Sequence, residues 1–96
     1  MAGYVIADIK IKDEAQYEKY RALSPGAVTA AGGEFVVRGG QHKTMEGNWK
    51  PARMVMLKFP TYEMALAFYD SELYRAARAK RAGTTEYFNM VVVEGV

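Results

Sequence analysis

The sequence has 96 residues, a formal net charge of +2, 50% hydrophobic and 25% charged residues, and no cysteine. These values predict one globular domain over residues 1–96, and they exclude a disordered chain, disulfide bonds, thiolate chemistry and the dense basic surface that nucleic-acid binding requires. Because no apolar run approaches the roughly 20 residues of a membrane-spanning helix, we expect a cytoplasmic protein without membrane contact.

The first third of the chain predicts a strand followed by a helix. Residues Tyr4–Ile11 are rich in β-formers and carry apolar side chains on both alternate sets, which is typical of a strand covered on both faces. Asp13, with Gln16 three residues later, has the spacing of a capping box at a helix start. Proline removes a backbone donor, so we expect Ser24–Pro25 to interrupt or kink this helix and a second short segment to follow over Ala27–Ala31.

The remaining chain predicts three strands and one interrupted helix. Glu34–Gly39 and Arg53–Phe59 are the second and third strands, joined by a connection rich in glycine. Thr61 is a good cap for the next helix, which breaks and restarts at Asp70–Ser71. Thr85–Glu94, with its run of apolar residues, is the fourth strand.

The order of strand, helix, strand, strand, helix, strand is that of a ferredoxin-like α+β sandwich. We therefore predict two layers, with a four-stranded antiparallel sheet and both helices on one face. Each strand also carries apolar side chains on its other side, such as Met54 and Met56 against Val55 and Leu57. Because so large an apolar face is rarely left in water, we predict a homodimer in which two sheets pack face to face.

The connection between the second and third strands holds two arginines that the antiparallel pairing would bring together. Arg38 ends the second strand, and Arg53 begins the third. The rigid fork of donors on arginine suits a carboxylate or a phosphate, so the pair predicts an anion site. The alternative is that both arginines form structural salt bridges with Glu34, Asp8 or Glu46.

Other side chains are weaker candidates for chemistry. His42 is a candidate general base because histidine titrates near neutral pH, with Glu46 as its orienting partner; the alternative is an exposed loop histidine. Trp49 either closes a pocket or fixes the connection to the body of the protein or to a partner subunit. Tyr69 and Tyr74 flank the helix break and are candidates for a cleft between helix and sheet. One histidine without cysteine favours neither a metal nor a cofactor.

Short motifs run through nearly the whole chain: Tyr4-Val5-Ile6-Ala7, Arg38-Gly39-Gly40, Glu46-Gly47 with Trp49, Pro51 and Arg53, Phe59-Pro60, Tyr69-Asp70-Ser71 with Tyr74, and Val93-Glu94-Gly95. In this order they resemble the domain of unknown function 1330 family, a member of the dimeric α/β barrel superfamily. The resemblance implies a ferredoxin-like protomer and a homodimer formed through the sheets.

The resemblance also implies a set of residues lining a shared cleft, to which His42 does not belong. These residues are Arg38, Glu46, Trp49, Arg53, Tyr69, Ser71, Tyr74 and Arg81. Relatives elsewhere in the superfamily include cofactor-independent monooxygenases and an isomerase, but a shared fold does not carry their chemistry across.

Three functions are consistent with these observations. The first is a homodimer that binds a small anionic or aromatic metabolite between sheet and helices. The second is a cofactor-independent enzyme similar to the monooxygenases or the isomerase of the superfamily. The third is a non-catalytic structural dimer. An open pocket beside the arginines would favour the first two, and a filled, salt-bridged site would favour the third.

Overall fold

A computed structural model describes residues 1–96 and confirms the predicted α+β fold. The elements in chain order are β1 (Gly3–Ile11), α1 (Glu14–Ala30), β2 (Glu34–Arg38), β3 (Met54–Phe59), α2 (Tyr62–Asp70), α3 (Glu72–Arg81) and β4 (Thr85–Glu94). The strands form one antiparallel sheet in the order β2-β3-β1-β4. None of the three helices combines the length and the apolar character needed to cross a membrane.

The hydrophobic core lies between the helices and one face of the sheet. Alternate residues of β1 face the helices, and Val5, Ala7 and Ile9 are each only 2% exposed. Their neighbours across the sheet, Leu57 on β3 and Met90 on β4, share this face. The helices complete the core with the buried residues Tyr17, Tyr20, Ala27, Val28, Ala65, Phe68, Tyr74 and Ala77.

Helix α1 continues through Pro25, so the predicted interruption is wrong. Proline removes one backbone donor, but buried side chains lie on both sides of it: Tyr20 and Ser24 before, Ala27 and Val28 after. Packing against the sheet therefore holds both halves in one helix of 17 residues, in place of the two predicted segments.

The predicted helix caps and the break before α3 are confirmed. The Thr61 hydroxyl accepts a hydrogen bond from the Met64 amide at 3.1 Å. Ser71 separates α2 from α3, and its hydroxyl accepts from the Tyr74 amide at 3.2 Å while donating to the Phe68 carbonyl at 2.7 Å. A single hydroxyl thus ends one helix and begins the next.

The opposite face of the sheet has no helix over it and is largely apolar. Ile6 of β1 lies on this face, and its neighbours across the sheet are Met56 of β3 and Val91 of β4. Val91 and Val93 are 59% and 45% exposed. We call this surface the open face.

Replacing Gly3 by alanine should destabilise the fold. A Cβ there would lie 2.5 Å from the Thr61 carbonyl oxygen and 2.6 Å from the Tyr62 Cα, and backbone atoms cannot rotate away. Such overpacking costs about 1–3 kcal/mol, which urea unfolding would measure. Gly26→Ala is the matched control, because nothing lies within 4 Å of its Cβ and alanine stabilises a helix interior by about 0.5–1 kcal/mol. Equal stabilities of the two variants would contradict the packing of β1 on α2.

Candidate functional site

An apolar cavity lies between α1 and the helix-facing side of the sheet. Its volume is about 50 Å³, and 13 of its 17 lining residues are hydrophobic. Tyr17 and Tyr20 of α1 and Tyr74 of α3 contribute aromatic walls, while Arg38 and Arg53 contribute positive charge from the sheet. The cavity therefore combines an apolar interior with a few polar groups, which is the usual composition of a small-molecule site.

An open cleft of about 310 Å³ adjoins this cavity and shares Ile9, Arg21 and Arg53 with it. The cleft is more polar, and Lys10 and His42 are among its other lining residues. Arg21 and Arg53 thus lie where the apolar cavity meets solvent. We call this boundary the mouth of the cavity.

Neither Arg38 nor Arg53 is neutralised by a carboxylate. The ion pairs of the structure join Lys10 to Glu86, and Arg21 to both Glu14 and Glu18. The salt bridges from Arg38 and Arg53 to Glu34, Asp8 or Glu46, the alternative raised by the sequence, do not form. The pair therefore remains available for an anionic ligand.

The two arginines are positioned by packing. The Arg38 guanidinium carbon lies 4.4 Å from the Phe35 ring centroid. The Arg53 guanidinium lies directly against Gly39, where a Cβ would overlap it, and Gly39 has a φ of +70°. Glycine is thus favoured at this position both by the left-handed backbone and by the arginine packed against it.

Two buried tyrosine hydroxyls meet at the wall of the cavity. The Tyr20 and Tyr74 oxygens are 2.6 Å apart, and the two residues are 7% and 1% exposed. Burial is the main cause that raises the pKa of Tyr20 well above the ordinary value, and the neighbouring Tyr74 raises it further. Burial also raises the pKa of Tyr17, although Arg53 and Arg21 oppose the change. Tyr17 and Tyr20 therefore stay protonated at neutral pH and act as donors.

Asp8 anchors the connection between β2 and β3 from the open face of the sheet. It is 7% exposed and accepts hydrogen bonds from the Trp49 indole at 3.0 Å, the Ala52 amide at 2.9 Å and the Tyr87 hydroxyl at 3.3 Å. Burial alone would raise the pKa of Asp8, but these donors and the Arg53 amide together hold it below the ordinary value. Trp49 therefore fixes the connection to the body of the protein.

The remaining predicted residues of the connection lie outside the cavity. Glu46 and Trp49 line a shallow cleft together with His42. His42 Nε2 lies 2.8 Å from the Pro51 carbonyl oxygen, so its hydrogen-bond partner is the backbone and not Glu46. No group of three or more His, Asp or Glu side chains could hold a metal ion.

The other predicted residues lie near α3. Tyr69 and Arg81 line a separate groove of about 560 Å³ beside β4. The Arg81 guanidinium carbon lies 3.7 Å from the Phe88 ring centroid, and Ser71 caps α3. Of the predicted residues, the cavity between α1 and the sheet therefore contains Arg38, Arg53 and Tyr74.

Four further polar residues of the cavity were not among the predicted site residues. Tyr17, Tyr20, Arg21 and Ser24 all line it from α1. The sequence did contain a pattern that indicates them, because spacings of three and four residues place all four side chains on one helix face. When polar side chains recur on the buried face of a helix, they indicate a ligand site in addition to a hydrophobic core.

Comparison with protein families and solved structures agrees with this fold. A family model described as "Domain of unknown function (DUF1330)" matches residues 2–96. No protein with a curated description matches the chain. A protein of unknown function from Rhodopseudomonas palustris has a TM-score of 0.74 at 13% identity, over 99% of this chain and 82% of that chain.

Two further solved structures are similar. A dimeric ferredoxin-like protein of unknown function from Jannaschia sp. CCS1 has a TM-score of 0.68 at 14% identity, over 100% of this chain and 99% of that chain. A protein from Caulobacter crescentus CB15, described as a "putative antibiotic biosynthesis monooxygenase", has a TM-score of 0.69 at 16% identity, over 99% and 90%. At these identities the likeness shows the ferredoxin-like fold alone.

Replacing Asp8 by asparagine should change the acid stability of the protein. Because the folded pKa of Asp8 lies below the ordinary 3.8, its ionised form contributes stability above that pH and loses it as the pH falls through the folded pKa. We expect the free energy of unfolding of the wild type to fall more steeply than that of Asp8→Asn between about pH 5 and pH 2. At neutral pH the variant should be less stable by about 1–3 kcal/mol.

Denaturant unfolding at several pH values measures both effects. Asp70→Asn is the matched control, because Asp70 is exposed and should follow the wild-type curve. A wild-type curve parallel to that of Asp8→Asn would contradict the proposed role of the four donors.

Proposed function

We propose that this chain, which belongs to the domain of unknown function 1330 family, forms a homodimer and binds a small anionic metabolite between α1 and the sheet. One observation carries the ligand proposal: Arg38 and Arg53 both line an apolar cavity, and neither is in an ion pair. A half-buried guanidinium without a carboxylate gains most from an anion that reaches it.

The charge balance at the mouth favours an anion. Arg21 is already neutralised by Glu14 and Glu18. Arg38 and Arg53 add two positive charges without a matching carboxylate. Arg38 is exposed, but the apolar surroundings of the half-buried Arg53 weaken solvent screening, so attraction to a carboxylate is stronger at Arg53 than at an exposed surface. A carboxylate or a phosphate therefore fits the site better than a neutral molecule.

The volumes indicate how such a ligand lies. The cavity of about 50 Å³ accepts only a small group, whereas the adjoining cleft holds about 310 Å³. A typical ligand site encloses about 300–1,000 Å³. The ligand therefore inserts one end into the cavity and keeps the rest in the cleft, with its acidic group beside Arg53.

The open face supports the homodimer. Ile6, Met56 and Val91 form a continuous apolar surface on it, and exposed apolar patches of this kind usually mark an interface. A second copy of the sheet has the matching apolar character, so a two-fold arrangement would cover both faces at once. The Jannaschia structure is described as dimeric.

A cofactor-independent enzyme is the second candidate, and the position of His42 favours it. His42 lines the cleft at the mouth together with Arg53. Because a carbonyl can only accept, His42 Nε2 carries the hydrogen toward the Pro51 carbonyl at 2.8 Å, while Nδ1 lies 3.5 Å from the Gly40 carbonyl oxygen. A ligand held by the arginine reaches Nδ1 as a proton acceptor only in the neutral ring and in place of this long contact to Gly40. Both candidates require the same arginines, so one experiment tests the site for both.

Binding should raise the melting temperature and depend on the arginines. In a screen of carboxylates, phosphates and phenols, benzoate and its neutral counterpart benzamide form a matched pair. A ligand at ten times its Kd stabilises the folded state by about 1.4 kcal/mol, a shift of several degrees for a chain of this size. We expect Arg38→Ala and Arg53→Ala to weaken binding of the active anions about 10- to 100-fold.

Arg75→Ala is the control for this experiment, because Arg75 is an exposed arginine of α3 that does not line the cavity. It removes the same charge and should keep the wild-type response. If no anion in the screen shifts the melting temperature, or if Arg75→Ala weakens binding as much as Arg53→Ala, the anion site is disproved.

Light scattering should give about twice the chain mass of 10.7 kDa. Val91→Lys places a charge on β4 within the open face and should give a monomer, because burying an unpaired ammonium is costly. Leu73→Lys is the matched control, since Leu73 is 56% exposed on α3 and Val91 is 59% exposed. A monomeric wild type, or a dimer that persists in Val91→Lys, would contradict pairing through the sheets.

A further inference from the structure

The two tyrosine hydroxyls at the cavity wall carry two hydrogens, but only one of them takes part in a hydrogen bond within the protein. Tyr20 and Tyr74 share one hydrogen bond, in which one oxygen donates and the other accepts. Each hydroxyl carries one hydrogen, so the accepting hydroxyl keeps a second hydrogen without a protein partner. A buried donor without a partner is costly and requires an explanation.

Tyr17 adds a further hydroxyl without a protein partner, although this oxygen keeps some access to solvent. Tyr17 is 2% exposed and lines the same cavity. None of the side-chain hydrogen bonds of the structure involves its hydroxyl. The pKa values of Tyr17 and Tyr20 are both raised, chiefly by burial, so the hydrogens stay in place at neutral pH. These hydroxyls are therefore suited to donate to an oxygen and not to remove a proton.

The polar groups of the cavity are arranged at two ends. Arg53 lies at the mouth and is half-buried, and Arg38 lines the cavity from an exposed position. Tyr20 and Tyr74 lie at the buried end, and most of the other lining residues are hydrophobic. Each end recognises a different group, because guanidinium selects an anion and a neutral hydroxyl selects any oxygen acceptor.

We infer that the ligand is a hydroxy- or oxo-carboxylate, whose acid group meets the arginines and whose second oxygen accepts a hydrogen bond from the tyrosine pair. The inference rests on the proposed function, since it names the ligand class of the same site. A ligand oxygen at the buried end supplies the acceptor that the protein lacks. A ligand without it leaves that donor unpaired, and sites of this kind discriminate strongly against such analogues.

Two pairs of compounds test the inference: benzoate with 4-hydroxybenzoate, and pentanoate with 4-oxopentanoate. Titration calorimetry measures the Kd of each compound. We expect the oxygen-bearing member to bind the wild type at least about tenfold more tightly. The double variant Tyr20→Phe/Tyr74→Phe removes both hydroxyls and should reduce this preference to near unity while the plain carboxylates still bind. Either single variant leaves one hydroxyl with a free hydrogen and should keep part of the preference.

Tyr62→Phe is the control, because Tyr62 does not line the cavity and its variant should keep the preference. If the hydroxyl pair is purely structural, its removal lowers stability and leaves the preference for the oxygen-bearing compounds unchanged. An equal affinity for both members of each pair in the wild type, or a preference that survives in the double variant Tyr20→Phe/Tyr74→Phe, would overturn the inference. If plain carboxylates bind through the arginines in that case, the proposed function stands and only the ligand class fails.

Discussion

The structure depends on a sheet that is apolar on both faces but has helices on only one. In β1 the side chains alternate, so that Val5 and Ala7 face the helices while Ile6 faces the other way. A strand with this pattern cannot bury both faces within one chain, because the three helices all pack on the same side. The helix-facing side encloses the cavity, and the open face stays uncovered within the chain.

Asp8 links these two sides of the sheet. It lies on the open face, yet it accepts a hydrogen bond from the Ala52 amide, and the next residue is Arg53. The Arg53 carbonyl in turn accepts from the Ile9 amide at 3.0 Å. With the Ala52 amide and the Arg53 carbonyl both held, the backbone directs the Arg53 side chain to the helix-facing side, where it lines the cavity. A buried carboxylate on one face thereby positions a cation on the other.

The elements that follow from local pattern were predictable from the sequence, and the site was predictable only in part. Thr85–Glu94 was predicted with the bounds that β4 has, because its run of β-forming residues is almost continuous. Pro25 misled the prediction because its local cost is outweighed by packing on both sides of it. Tyr74 was a site candidate, whereas Tyr20 was not. Only the packing of α1 on α3 shows that their hydroxyls meet.

The unpaired polar groups of the cavity lower the stability of the empty protein. For this reason their presence indicates a function. Apolar side chains at Tyr20 and Tyr74 would fill the same space without an unpaired donor, and an unpaired guanidinium near the interior contributes little to stability. Chains that need only a core rarely keep such groups, since buried polar groups normally have partners. Under the proposed function, the arginines and the tyrosine hydroxyls share one explanation: a bound molecule would supply both missing partners and recover the free energy that the empty protein loses.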